Sequence, residues 1–337
     1  MKRNISIDLL RITCSILVVF IHVSPPFSNK NESMAALLLN PVFRVSLPLF
    51  FMISGYLILN SKIDSLFEFY KKRIKTIALP FLFFSFIHYC FFHQWDSNQL
   101  SVTWFKNYFI AVFYGYPINT GRDYFMTALF WFVYTIIGLY LISPLISRCI
   151  SFIDSKNAMK SIIIILAIYA FQQFSPEFLG YMGASKDWFR LQRLNEFLVY
   201  FVLGGIIART ALRSTALIWI IMPVCYFIVV YQQYLAVEGH WMGRGWIDAN
   251  VFMMILCSCI LILTHTYKVE RDNAKIIYLS SLTYGVYLIQ AVTISLADWV
   301  TKEYKVFYLQ YTIITGILAC LIAFCISAII NPIIKKL

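Results

Sequence analysis

Three ionisable side chains stand inside the first long apolar stretch of the sequence, residues 7 to 25: Asp8, Arg11 and His22. A plain membrane anchor needs none of them. At about 100° per residue, Arg11 and His22 fall within about 20° of each other on a helix, so they share a stripe. Their axial separation is about 16 Å, roughly half of a hydrocarbon core about 30 Å thick, so both cannot reach the same headgroup layer. At least one therefore faces protein or water, and titratable groups at that depth mark functional cavities. The competing reading has Asp8 and Arg11 snorkelling to one interface and His22 to the other. Of five histidines (His22, His88, His93, His240 and His265), His22 alone has a basic partner on its own helical face. An imidazole so placed can take the proton from a hydroxyl while that oxygen attacks a thioester carbonyl. Arg11 would hold anionic donor groups or the developing oxyanion, and Asp8, three residues earlier, would orient Arg11.

Other chemistries lack their residues. No HExxH, Walker loop or credibly placed GxSxG occurs, and no pair of carboxylates lies within an apolar stretch. The eight cysteines lie in or beside apolar segments without a CxxC spacing, which argues against a metal site or a disulfide framework.

The elements that must position these groups are membrane helices. With 60 % apolar residues and a mean hydropathy of +0.73, the composition lies far from that of soluble domains. An all-α polytopic membrane protein is expected, as one domain over 1–337 without a separate soluble domain. About ten spans are predicted, near 7–25, 41–60, 76–94, 124–147, 160–175, 195–212, 215–234, 248–266, 277–297 and 309–333. Residues 104–115 are too short for a span and read as interfacial or re-entrant. The net charge of +12 could suggest a nucleic-acid partner, but the basic residues follow the loops. With a cytoplasmic N-terminus, seventeen of the 28 Lys and Arg fall on inner segments and nine on outer loops, which places both termini in the cytoplasm and leaves no nucleic-acid role. MKRN opens like a signal peptide, yet Asp8 and Arg11 interrupt the apolar run and no cleavage site follows, so the first span is expected to remain.

Further candidates lie on other segments. Arg44, near the outer end of the second span, either snorkels to lipid phosphate or lines the outer mouth of the His22 cavity; Pro48 and Gly55 permit a kink and close backbone approach there. Residues 61–75 form the most basic inner segment, with Lys71, Lys72, Arg73 and Lys75, suited to anionic lipid or to the phosphates of a CoA-type ligand. Trp131 lies in the fourth span, and the aromatic outer segment 94–122 suits an interfacial belt or sugar stacking. The ninth span carries Ser281, Thr283, Tyr284, Tyr287 and Gln290, suited to interhelical hydrogen bonds or to substrate. Outer loop 176–194 holds Lys186, Arg190 and Arg193, which could meet an anionic glycan or lipid diphosphate, and outer loop 235–247, with Glu238, His240, Arg244 and two tryptophans, reads as a binding loop.

Taken together these motifs resemble the acyltransferase-3 integral-membrane acyltransferases. IDLLR at 7–11 with His22 looks like that family's motif of an Arg, ten residues and a His; RVSLPLFFMISGYL (44–57), FYKKRIKTIALPF, WFVYTIIGLYLISPLI and SLTYGVYLIQ resemble its second, third, fourth and ninth spans. The second-span stretch is closest in kind to bacterial surface-polysaccharide O-acetyltransferases. The resemblance implies transfer of an acetyl group from cytoplasmic acetyl-CoA, without a metal, to a hydroxyl of a lipid-linked or cell-surface glycan of O-antigen type at a bacterial inner membrane. It implies His22 as base with Arg11 and Asp8 beside it, Arg73, Lys72 and Lys75 at the donor, and Arg44, Trp131, Tyr287 and Gln290 at the acceptor. Three departures stand out: Thr76 where a second arginine is common, and Leu129 and Gln290 where histidines are common. The same frame could transfer succinyl. A glycan flippase would call for inverted repeats with matching broken spans, and Pro48, Pro80, Pro223 and Pro332 show no such symmetry.

Overall fold

A computed structural model describes residues 4–24, 33–92, 101–114, 124–182, 194–211, 215–238, 247–269, 273–306 and 308–334. Among these, the regular structure is entirely helical, as the composition requires of a chain that satisfies its backbone without water. The helices are α1 (Ile5–Val23), α2 (Met34–Arg44), α3 (Ser46–Ile58), α4 (Leu66–Arg73), α5 (Leu79–Phe92), α6 (Val102–Tyr114), α7 (Tyr124–Ile150), α8 (Ser155–Tyr181), α9 (Glu196–Ile207), α10 (Ala216–Val237), α11 (Val251–Thr266), α12 (Ala274–Thr301) and α13 (Tyr308–Ile334). A π-helical segment, Ile74–Ala78, joins α4 to α5, and short 3₁₀ turns occupy Ile247–Ala249 and Lys302–Val306. The chain divides into two compact units: residues 1–62 with 143–280, and residues 63–142 with 281–337.

Among the described residues eight helical runs are long and apolar enough to cross a membrane, including Met34–Ile58, formed by α2 and α3, and Leu66–Phe92, formed by α4, the π segment and α5. The other two predicted spans are shorter than expected. Within 195–212 the helix α9 has 12 residues, and within 248–266 the helix α11 has 16. At 1.5 Å per residue α9 rises about 18 Å, well short of a bilayer core. Its ends are fixed locally: Asn195 caps the first turn by accepting from Phe197 and Leu198 N–H (both 3.1 Å), and the chain turns away at Ala208. An apolar stretch marks a lipid-facing helix and a buried one alike, and α9 is the latter, with eight of its twelve residues buried.

The first unit is built around contact of α3 with α9. A Cβ on Gly55 would overlap the Phe201 carbonyl, and one on Gly204 would overlap the Met52 carbonyl, so each helix presents a glycine where the other's backbone crosses. One end of α3 is tied down by polar groups. Asn60 Nδ2 donates to the Gly205 carbonyl (2.9 Å), Arg209 Nε donates to Asn60 Oδ1 (2.9 Å), and Arg209 Nη1 donates to the carbonyls of Ile150 (2.9 Å) and Ile153 (3.2 Å). Arg209 thus holds the ends of α3, α7 and α9 together.

In the second unit the π segment has a local cause. Pro80 has no N–H for the Thr76 carbonyl and its ring crowds that group, so the ladder shifts register and Leu79 N–H bonds to the Ile74 carbonyl five residues back.

Candidate active site

Helix α1 starts at Asn4, whose side chain accepts from Ser6 N–H (3.0 Å), and stops before Ser24, which Pro25 keeps extended. Its packing bears on the two readings of the Arg11 and His22 stripe. Asp8, Ser15, Val18 and Val19 lie along that stripe and are buried, while Leu9 and Thr13 on the opposite side are exposed. Protein therefore covers the stripe between Asp8 and Val19. Arg11 is half-buried on it, and His22, at its far end, is exposed, an accessible imidazole on an otherwise covered face. Asp8 accepts a hydrogen bond from Ser280 Oγ at 2.6 Å, a partner the sequence did not suggest.

Arg44 closes α2 at the point where the helix breaks. Val45 forms a turn between α2 and α3, and Pro48 sits in the first turn of α3, where a missing N–H is tolerated. The break leaves Arg44 at a helix C-terminus, favourable for a cation. Its Nε donates to Asn40 Oδ1 (3.1 Å) and its Nη1 to Asp248 Oδ2 (3.0 Å). The ring contact of Phe20 with Phe43 (centroids 5.3 Å apart) joins α1 to α2 two residues before His22 and one residue before Arg44. Arg44 is thus not a snorkelling cation: a carboxylate and an amide hold it near His22.

The other described histidines are packed differently. His265 is buried; its Nε2 donates to the Thr210 carbonyl (3.1 Å) and its Nδ1 accepts from the Tyr56 hydroxyl (2.8 Å), so both ring nitrogens serve the fold. His88 is buried against the rings of Phe92 and Phe130. His93 and His240 lie outside the described residues, as do Lys186, Arg190, Arg193 and Arg244.

The second unit carries the remaining candidates. Helix α4 is capped by Ser65, whose Oγ accepts from Glu68 N–H, and anchored to α7 by the Tyr70 hydroxyl donating to the Leu141 carbonyl (2.8 Å). Arg73 lies over two rings, its guanidinium carbon 4.8 Å from the Phe69 centroid and 5.5 Å from that of Tyr140. Lys72 and Lys75 are exposed on either side. The π segment beyond Arg73 is held from α12, where the Tyr284 hydroxyl donates to the Ile77 carbonyl (3.1 Å). Tyr287 and Gln290, one turn apart on α12, are buried, and Tyr287 packs on Phe132 at 5.1 Å. Both amide atoms of Gln290 are buried without a hydrogen-bond partner among the described residues. Trp131 is half-buried beside Phe132.

Structure thus groups Asp8, Arg11, His22 and Arg44 in the first unit, and Lys72, Arg73, Lys75, Trp131, Tyr287 and Gln290 in the second. Asp248 was missed. The available signal was two lone opposite charges, Arg44 and Asp248, each at the predicted outer end of an apolar stretch. Among the described residues no group of three His, Cys, Asp or Glu side chains could hold a metal.

A family model described as an acyltransferase domain matches residues 4–331. No curated protein and no solved structure matches the chain.

Proposed function

We propose a function from one premise: the chain belongs to the acyltransferase-3 family and is a multi-pass membrane acyltransferase. Its reaction is O-acetylation, with acetyl-CoA as donor and a hydroxyl of a lipid-linked or cell-surface polysaccharide of O-antigen type as acceptor, at a bacterial inner membrane with both termini in the cytoplasm.

The observation that supports this most is His22: an accessible imidazole ending a stripe of α1 whose middle is buried, on a helix joined by the Phe20–Phe43 ring contact to the end of α2 that carries Arg44. In the proposed step an imidazole nitrogen takes the proton of the acceptor hydroxyl as that oxygen bonds to the thioester carbonyl carbon. The carbon–sulfur bond breaks, and the CoA sulfur leaves with the proton that His22 returns. Arg44 and Arg11 offer positive charge to the developing oxyanion or to anionic groups of the substrates, with Asp8 buried on the same stripe. Arg73, Lys72 and Lys75 offer cations for CoA phosphates, with the charge of Arg73 held over two rings and not neutralised by them. Trp131, Tyr287 and the unpartnered amide of Gln290 are assigned to substrate.

Mass spectrometry of surface polysaccharide from cells with and without the gene tests the proposal. Acetyl groups present only with the gene, and lost with His22→Ala protein that still reaches the membrane, are expected. Identical polysaccharide with and without the gene would overturn it.

A further inference from the structure

The segment that presents Asp248 is braced from three helices. The Tyr200 hydroxyl of α9 donates to the Asp248 carbonyl (2.8 Å), the Tyr169 hydroxyl of α8 donates to the Ala249 carbonyl (2.9 Å), Gln173 of α8 accepts from Val251 N–H (2.8 Å), and Asn250 donates to Gln232 of α10 (2.5 Å). Two of these ties hold the 3₁₀ turn itself and two hold the residues just after it, so the backbone that carries the Asp248 carboxylate is anchored on several sides. Asp248 is buried, its Oδ2 meets Arg44, and its Oδ1 is buried without a hydrogen-bond partner among the described residues. A buried ion pair is weak evidence for stability, because well-packed apolar side chains usually serve as well. A carboxylate with one oxygen left unmatched fits that purpose worse still. What the pair does accomplish is geometric: with Asn40 it fixes the Arg44 guanidinium from two sides, at the α2 and α3 break, next to the Phe43 ring that meets Phe20 near the His22 end of α1.

We infer that Asp248 is a positioning residue for acyl transfer, holding Arg44 beside His22 without itself touching substrate. The inference rests on the proposed role of His22 and adds a residue that no motif of the sequence marks. It follows that Asp248 acts only through Arg44, so the two cannot contribute independently.

The test is a double-mutant cycle in membranes carrying the full chain, given radiolabelled acetyl-CoA, with label counted in the glycan fraction and rates taken per amount of inserted protein. Arg44→Gln and Asp248→Asn are each expected to slow transfer at least tenfold at saturating acetyl-CoA, with the KM for acetyl-CoA unchanged. The double variant, which leaves no buried charge without its partner, is expected to be no slower than Arg44→Gln. Asp248→Glu, which keeps the carboxylate, is expected to recover a substantial part of the rate. Wild-type transfer by Asp248→Asn, or losses that multiply in the double variant, would overturn the inference. His22→Ala in the same assay separates the two claims: its retained transfer would overturn the role of His22, whereas its inactivity beside a fully active Asp248→Asn would overturn only the role of Asp248.

Discussion

Arg44 and Arg73 are both half-buried arginines in a membrane protein, and each is held in a different way. Arg44 is fixed by a buried carboxylate and an amide, so much of its charge is met within the protein and its direction is set. Arg73 has no carboxylate partner among the described residues; two aromatic rings carry its flat face, and exposed Lys72 and Lys75 flank it. The first arrangement orients a charge for local use. The second keeps charge available to an incoming anion, which is what a phosphate-bearing donor requires. Ring stacking fixes the plane of a guanidinium without neutralising it, and that is the physical difference between the two sites.

The comparison can be broken or sharpened in order of effect. Gly204→Val, which drives a branched side chain into the Met52 carbonyl, removes the α3 and α9 contact around which the first unit, with Arg44, is built; folded protein is expected to fall below detection by size-exclusion chromatography in detergent. Arg44→Ala leaves Asp248 as a buried charge without its partner and is expected to destabilise the protein by about 3–5 kcal/mol. Arg73→Ala, read by the same thermal unfolding, is expected to cost much less, since no buried carboxylate is abandoned. A comparable drop in both would erase the distinction. Arg73→Lys keeps the charge but loses the planar stack, worth about 0.5–2 kcal/mol, and is expected to raise the KM for acetyl-CoA with little change in the maximal rate. Lys72→Gln with Lys75→Gln is expected to give the smallest change, a weaker donor affinity that disappears as salt is raised. An effect independent of salt would point away from solvent-exposed phosphate contacts.

Much of this was legible in the sequence for a definable reason. The Arg11 and His22 stripe depends only on helical period, and the burial of Asp8, Ser15, Val18 and Val19 follows that period residue by residue. Pro48 and Pro80 mark their helix irregularities directly, because a missing N–H is a local fact. The Arg44 and Asp248 pair was not legible: the partners are 204 positions apart and meet only through tertiary packing. The length of α9 was hidden for another reason. Apolar residues all around a helix report burial without saying whether lipid or protein does the burying, and here close backbone contact with α3 does it. The roles of His88 and His265 were equally undecided until their partners were seen, since an imidazole bonded to a tyrosine and a carbonyl has the same one-letter code as a base.

The most direct test is acetyl transfer by purified protein in liposomes supplied with acetyl-CoA and a lipid extract containing the glycan acceptor. His22→Ala, inserted to the same level as wild type, is expected to transfer about 10²–10⁴-fold more slowly, the usual contribution of a general base. Transfer by His22→Ala at the wild-type rate would contradict the central role of that imidazole.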